Sequence, residues 1–165
     1  MSVSLLPEEI VSLARRVVDE NRAIGRKIVL AESCTGGLVA AAITEIPGSS
    51  AVLDRSFVTY SNEAKKETLG VAGDVIDAFG AVSIACVYAM AQGALEHSEA
   101  DVAVAISGIA GPDGGSEQKP VGTVVFARAK RDAEDREAES RVFKADDRSE
   151  VRRQATLCAL ELLLP

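Results

Sequence analysis

The stretch AESCTGGLVAAAIT, residues 31–44, joins two different hydrophobic patterns and thereby predicts the fold around it. It continues the apolar run KIVLAE, whose short unbroken pattern predicts a buried strand. It then enters TGGLVAAAITEI, which predicts a helix that ends at Pro47 and Gly48. A buried strand followed directly by a helix is typical of an α/β fold.

The same alternation of helix and strand patterns continues along the rest of the chain. Apolar residues at helical spacing predict further helices between Pro7 and Gly25, over 62–71 with Asn62 as candidate N-cap, over 74–79, from Ser83 onward, and from Asp147 to Leu164. Further strands are predicted over 55–61, 101–111, 122–129 and 140–145, and the charged run 130–139 is interpreted as a solvated hairpin turn.

These elements predict one domain over residues 1–165, a three-layer α/β/α sandwich. The last two strands follow each other with no helix between them, so we expect them to pair antiparallel. The sheet is therefore expected to be mixed and mostly parallel.

Composition and charge disfavour several classes of protein. Of the 165 residues, 47% are hydrophobic, which disfavours disorder. The formal net charge of −7 disfavours nucleic-acid binding. No apolar run reaches the roughly 18–20 residues of a membrane span, and the N-terminus lacks a signal-peptide pattern. Cys34, Cys86 and Cys158 have neither zinc-site nor disulfide spacing. We therefore expect a cytoplasmic protein with no bound metal and no membrane or nucleic-acid partner.

Polar residues cluster where three predicted strands end, over 32–37, 60–65 and 107–123. In an open α/β sheet, ligands bind at the carboxyl ends of the strands. Three polar strand ends together are a stronger indication of a site than any one of them alone.

The first cluster suits either an anion or an oxyanion. Gly36 and Gly37 let the backbone approach a ligand, and the helix that follows directs free N–H groups toward it. A purely structural interpretation is equally open, in which Ser33 or Thr35 only caps the helix. Cys34 is a rival nucleophile, because thiolates are favoured at helix N-termini. Neighbouring strand residues point to opposite faces, so only one of Ser33 and Cys34 can face the cleft, and the pattern leaves open which.

A base for such a nucleophile is found in the second cluster. The single histidine, His97, lies at the polar end of a helix, which argues against a Ser-His-Asp triad. Lys65 is the better candidate, provided that its pKa falls from ~10.4 to roughly 7–8, a change worth about 4 kcal/mol. A helix dipole supplies at most ~1 kcal/mol, so burial must supply most of the shift. Tyr60 could relay a proton or orient the lysine.

The third cluster, SGIAGPDGGSEQKPVGTV over 107–124, is a glycine-rich loop that follows a buried strand. Its many N–H donors predict a nest for phosphate or ribose, and Ser107, Ser116, Lys119 and Thr123 add side-chain partners. A flexible surface connection is the alternative interpretation.

Several ordered motifs carry a resemblance that spans roughly residues 8–163. AESCTGGLVAAAIT with GSS, FVTYSNEAKKETLGV, GAVS, SGIAGPDGGSEQKPVGTV and DRSEVRRQA resemble the CinA C-terminal domain family. The resemblance implies a hydrolase that converts nicotinamide mononucleotide into nicotinate mononucleotide and ammonia, a step in pyridine-nucleotide recycling. It also implies a three-layer α/β/α fold with a mixed sheet.

The resemblance assigns roles to particular residues. Ser33 corresponds to the nucleophile, Lys65 to the lysine paired with it and Tyr60 to the supporting tyrosine, while the loop from Gly108 to Gly115 would line the nucleotide site. The chain departs from the family pattern at Asp146, where a glycine is expected and where a left-handed turn would alter the direction of Arg148.

The mechanism we expect is acyl transfer without cofactor or metal, in which Lys65 activates Ser33. The alternative is a non-catalytic nucleotide-binding module, in which the serine loop serves only as an anion cradle. Apolar residues beyond the needs of one core would favour a homo-oligomer. The residues predicted to bind the small-molecule nucleotide substrate are Thr35, Gly36, Gly37, Ser107, Gly108, Gly111, Gly114, Gly115, Lys119 and Arg148.

Overall fold

The computed structural model describes residues 3–134 and 136–165. Within these residues the α-helices are α1 (Glu8–Ala23), α2 (Leu38–Thr44), α3 (Asn62–Leu69), α4 (Gly73–Phe79), α5 (Ile84–Glu96) and α6 (Arg148–Leu162). The strands are β1 (Ile28–Glu32), β2 (Leu53–Val58), β3 (Val102–Gly108), β4 (Thr123–Lys130) and β5 (Arg136–Val142), and a short 3₁₀ turn spans Ser49–Ala51.

The described strands form one sheet in the order β2-β1-β3-β4-β5. β1 pairs parallel with both β2 and β3, and β4 pairs antiparallel with both β3 and β5. Among these five strands only β4 therefore runs against the others. The predicted mixed, mostly parallel sheet is confirmed, and so is the antiparallel pairing of the last two strands.

Helices cover both faces of the sheet, which confirms the three-layer sandwich. One layer contains α1, α2 and α6, and the other contains α3, α4 and α5. Along β1, Ile28 and Leu30 pack against the α6 layer, and Val29 and Ala31 pack against the α5 layer. The period of two along a strand continues this alternation to the residues that follow.

Two predictions from the sequence need correction. The residue that caps α3 is Ser61, whose Oγ accepts a hydrogen bond from the N–H of Ala64 at 3.0 Å, and Asn62 is the first helical residue. The last strand begins at Arg136, whereas the apolar pattern placed its start at Ser140. β5 is an edge strand that carries charged side chains, so it lacks the apolar signal of a buried strand. The predicted turn over 130–139 includes Asp135, which lies outside the described residues.

Cys34, Cys86 and Cys158 are free and buried. Across the part of the chain that the structure describes, no helix is both long and apolar enough to cross a membrane.

Candidate active site

Polar side chains from all three predicted clusters line one cavity of about 150 Å³ at the carboxyl ends of β1 and β3. The sheet order places β2, β1 and β3 side by side, so residues that follow these strands meet at one edge. The polar residues that line the cavity are Ser33, Tyr60, Asn62, Lys65, Ser107 and Arg148.

A larger cavity of about 750 Å³ lies between the end of β5 and the start of α6. It is an open groove lined by Val121, Phe143, Lys144 and three carboxylates. It contains no hydroxyl or thiol beside a base among its lining residues, so we place the chemistry in the smaller cavity.

Ser33 and Lys65 are in direct contact in the smaller cavity. The Nζ atom of Lys65 lies 2.9 Å from Oγ of Ser33, and it also donates to the carbonyl oxygen of Thr59 at 2.9 Å and of Tyr60 at 3.1 Å. A neutral amine has two N–H groups and one lone pair. In the neutral form, with both N–H groups donated to the two carbonyls, the lone pair would face the Ser33 hydroxyl, whose Oγ also lies 3.4 Å from the carbonyl oxygen of Tyr60.

Burial makes this amine easier to deprotonate. Only 1% of Lys65 is exposed, and desolvation lowers its pKa from the ordinary value of 10.5, although the thiols of Cys86 and Cys34 oppose the shift. Its hydrogen-bond partners are one hydroxyl and two carbonyls, and no described carboxylate forms an ion pair with it. Burial therefore shifts this amine toward its neutral, basic form relative to an exposed lysine.

The other candidate bases lie elsewhere. Lys66, the next residue along α3, points away and forms an ion pair with Glu63 at 2.8 Å. His97 is exposed at the end of α5, where Nδ1 lies 2.7 Å from the carbonyl oxygen of Gly93. Neither residue lines the cavity.

The structure supports Ser33 over Cys34 as the nucleophile. Cys34 lines the same cavity but packs in the hydrophobic cluster of the α6 layer, whereas Ser33 meets Lys65 on the α5 side of the sheet. Burial raises the pKa of the Cys34 thiol to about 11, so the thiolate is disfavoured near neutral pH. Both neighbours line the cavity, contrary to the expectation that only one of them can face it, but only Ser33 contacts the Lys65 amine.

A buried carboxylate braces the turn that carries Ser33. Glu32 is fully buried, and its carboxylate accepts hydrogen bonds from Oγ1 of Thr35 at 2.6 Å, from N–H of Val39 and Ala40 at 3.0 and 3.1 Å, and from Oγ of Ser56 at 3.3 Å. The Thr35 side chain is therefore engaged inside the protein. Sequence reasoning missed this role of Glu32, although the alternation along β1 directs it toward α2.

Arg152 holds the same turn from the opposite side. Its Nε donates to the carbonyl oxygen of Cys34 at 3.0 Å, and its Nη2 donates to that of Thr35 at 3.4 Å. Sequence reasoning also missed this residue, which lies within the motif DRSEVRRQA. The N–H groups of Thr35 and Gly37 have no protein acceptor among the described residues, but Thr35 is fully buried, and Thr35, Gly36 and Gly37 lie outside the cavity lining.

The two glycines of the turn have backbone conformations that other residues rarely adopt. The φ angles of Gly36 and Gly37 are +59° and +99°. These left-handed conformations bend the chain from β1 into α2 within a few residues.

Tyr60 and Arg148 lie together at the mouth of the cavity. The Tyr60 ring is largely exposed, and its hydroxyl accepts a hydrogen bond from Nη2 of Arg148 at 3.4 Å. Tyr60 reaches Lys65 only through its main-chain carbonyl. Arg148 also donates to the carbonyl oxygen of Gly111. The backbone of Asp146 is not left-handed, since Asp132 is the only non-glycine residue with positive φ in the described ranges. Arg148, two residues further on, lines the cavity.

The glycine-rich loop contributes only its first residues to the cavity. Ser107 and Gly108 line the cavity. Gly111 does not line it, but its carbonyl oxygen accepts a hydrogen bond from Arg148, which does. Gly114 and Gly115 lie outside the cavity lining, and Nζ of Lys119 donates to the carbonyl oxygen of Phe79 at 2.8 Å. The structure thus does not bring these last three predicted residues to the nucleophile.

An α/β/α sandwich with a buried serine and lysine at its strand ends defines a class of protein, and comparison with known families identifies that class. The family model for the CinA C-terminal domain matches residues 10–165, and the chain belongs to this family.

Named relatives narrow the comparison. The chain is 52% identical to the nicotinamide-nucleotide amidohydrolase PncC of Escherichia coli K12, over 94% of this chain and 93% of that protein. It is 50% identical to a CinA-like protein of Akkermansia muciniphila, over 93% of this chain and 36% of that protein. The competence/damage inducible protein CihA from Agrobacterium tumefaciens superposes with a TM-score of 0.94 at 47% identity, covering 98% of this chain and 97% of that one.

Proposed function

We propose that this chain is a nicotinamide-nucleotide amidohydrolase that converts nicotinamide mononucleotide into nicotinate mononucleotide and ammonia. The similarity to the amidohydrolases of that name over nearly the whole chain supports the substrate. The observation that carries the chemistry is the buried Lys65 amine, 2.9 Å from the Ser33 hydroxyl and without a carboxylate partner.

The first step is acylation of Ser33. Neutral Lys65 accepts the hydroxyl proton while Oγ of Ser33 attacks the carboxamide carbon. The N–H groups of Thr35 and Gly37 stabilise the resulting oxyanion. The Lys65 ammonium then gives its proton to the departing nitrogen, and ammonia leaves the acyl-enzyme.

The second step is hydrolysis of the acyl-enzyme. Lys65, neutral again, accepts a proton from a water molecule, and the hydroxide attacks the ester carbon. Collapse of this intermediate releases the nicotinate product, and Ser33 regains its proton from Lys65. One buried amine therefore serves both steps, and neither step requires a metal or a cofactor.

The cavity is large enough for only part of the substrate. Its volume of about 150 Å³ is below the roughly 300–1,000 Å³ of pockets that enclose a whole ligand. The planar ring and carboxamide enter the cavity, and the ribose and phosphate extend past its mouth. There the phosphate binds Arg148 and the N–H groups at the start of the 108–115 loop, while the Tyr60 hydroxyl accepts a hydrogen bond from Arg148 and its main-chain carbonyl holds the Lys65 amine.

The proposal extends to the cellular setting. The reaction returns a pyridine nucleotide to recycling in a reducing cytoplasm, which suits three unpaired cysteines. Exposed apolar residues at and near the mouth, including Val58, Tyr60 and Phe79, would favour a homo-oligomer, which sedimentation of the purified protein tests.

Ammonia release from nicotinamide mononucleotide by the purified protein tests the activity, and neighbouring variants test the nucleophile. We expect Ser33→Ala to reduce kcat by at least about 10³-fold while the variant still binds the nucleotide. Cys34→Ala, the matched control, should retain turnover within about tenfold, because the thiol packs in the hydrophobic cluster of the α6 layer and forms no hydrogen bond with Lys65.

The reverse pattern would assign the nucleophile to Cys34. A wild-type protein that binds the nucleotide tightly and releases no ammonia would instead establish the non-catalytic binding module.

A further inference from the structure

Ser107 has a hydroxyl at the cavity wall that the proposed chemistry has not yet used. Only 2% of the residue is exposed, and it lines the cavity that contains Ser33 and Lys65. Its Oγ has no hydrogen-bond partner among the described residues of the protein. A hydroxyl that lines a cavity and has no partner within the protein is available to a ligand.

The pairing of β1 with β3 places Ser107 beside the nucleophile. Glu32 pairs with Ile106, and the N–H of Ser33 donates to the carbonyl oxygen of Ile106 at 3.0 Å, so Ser33 and Ser107 are the next neighbours across the two strands. Neighbouring strands lie about 4.8 Å apart. Ala105 packs against the α5 layer, and the period of two directs Ser107 to the same face, where Ser33 meets Lys65.

Lys65 and Ser107 lie on opposite sides of Ser33. The Lys65 amine is held by the carbonyls of Thr59 and Tyr60, which follow β2, and β1 lies between β2 and β3. A tetrahedral carbon bonded to Oγ of Ser33 must direct its nitrogen toward Lys65, which protonates that nitrogen. Its oxygen then lies on the β3 side, within reach of the Ser107 hydroxyl.

We propose that Ser107 is a catalytic residue whose O–H donates a hydrogen bond to the carboxamide oxygen as that oxygen becomes an oxyanion. The inference rests on the proposed amidohydrolase function. As the bond between Oγ of Ser33 and the carbon forms, the C=O π pair moves to the oxygen and the Ser33 proton passes to Lys65. Ser107 keeps its proton throughout and acts alongside the N–H groups of Thr35 and Gly37.

The test is steady-state kinetics of Ser107→Ala with nicotinamide mononucleotide, together with thermal unfolding. Loss of one oxyanion donor should lower kcat by about 10²–10³-fold. KM should change by less than about threefold, because the bond strengthens only in the transition state. The melting temperature should stay equal or rise, because the hydroxyl has no partner within the protein.

A shape-matched pair of variants separates the hydroxyl from the volume of the side chain. Ser107→Thr keeps an O–H donor. Ser107→Val has nearly the same shape as the threonine variant but has no O–H donor. We expect the threonine variant to have at least about tenfold higher kcat than the valine variant.

Other outcomes overturn the inference. An unchanged kcat, a raised KM with intact kcat, or equal threonine and valine variants would each exclude an oxyanion role, and a lowered melting temperature of Ser107→Ala would contradict a hydroxyl without a partner in the protein. If the wild-type protein itself releases no ammonia, both the proposed function and this inference are wrong. If the wild type is active and Ser107→Ala matches it, only this inference fails.

Discussion

The two polar segments that follow β1 and β3 differ in how firmly the protein holds them. After β1, Ser33, Cys34 and Thr35 are buried, and Glu32 and Arg152 bind the turn from two sides. After β3, residues 112–118 are all exposed. The hydrogen bonds of that loop lie mainly at its two ends, such as those between Ile109 and Gly122 and between Ser116 and Lys119.

The difference matches the two parts of the proposed reaction. Attack on a carboxamide needs the nucleophile, base and oxyanion donors to be held within fractions of an ångström, which a braced turn at a strand end provides. Binding of a ribose and a phosphate requires many donors but less accurate placement, which a glycine-rich loop provides. Variants in each segment should therefore affect different quantities.

The largest expected effect comes from the base that faces the braced turn. We expect Lys65→Met to reduce kcat for ammonia release by about 10³-fold, because the amine is the general base in both steps. Lys66→Met is the matched control and should keep wild-type turnover, since its ion pair with Glu63 lies at the surface. Equal losses in the two variants would remove Lys65 from the mechanism.

The lowered pKa of Lys65 also gives this variant a distinctive pH dependence. Between its folded and unfolded pKa values the unfolded chain binds a proton that the folded chain does not, so the free energy of unfolding of the wild type rises with pH. Lys65→Met should therefore be more stable than wild type at pH 7, and its advantage should shrink as the pH approaches 10.5. An advantage in urea unfolding that grew with pH would contradict a lowered pKa.

A smaller effect, on stability, is expected from the brace itself. Glu32→Gln replaces one acceptor oxygen with an N–H₂ group that faces other donors, and we expect a loss of about 2–3 kcal/mol in the free energy of unfolding. Urea denaturation measures this loss, and Glu67→Gln on the exposed side of α3 is the control. If both variants unfold at the same urea concentration, the hydrogen bonds of Glu32 do not stabilise the turn.

The smallest effect is expected in the exposed loop. Lys119→Met should change stability by less than about 0.5 kcal/mol and leave KM nearly unchanged, because the amine is bound to Phe79 outside the cavity. Arg148→Met should raise KM by about tenfold or more, because its guanidinium lines the cavity mouth. A larger KM change for Lys119→Met than for Arg148→Met would show that the phosphate binds nearer to Lys119 than to Arg148.

Hydrophobic periodicity was sufficient to predict most of the fold. It predicted the sandwich, the order of helices and strands, and the antiparallel pairing of β4 with β5. It was misleading at β5, because an edge strand does not need buried side chains and so does not carry an apolar pattern.

The sequence by itself determined that Ser33 and Cys34 point to opposite faces, because side-chain direction along a strand is a local property of the backbone. Only the tertiary structure decided what each side chain meets. The burial of Lys65 against Ser33 and the contact of Arg152 with Cys34 join residues that are 32 and 118 positions apart in the chain. Such contacts depend on strand order and on how the helices pack, and the local pattern around either residue contains neither.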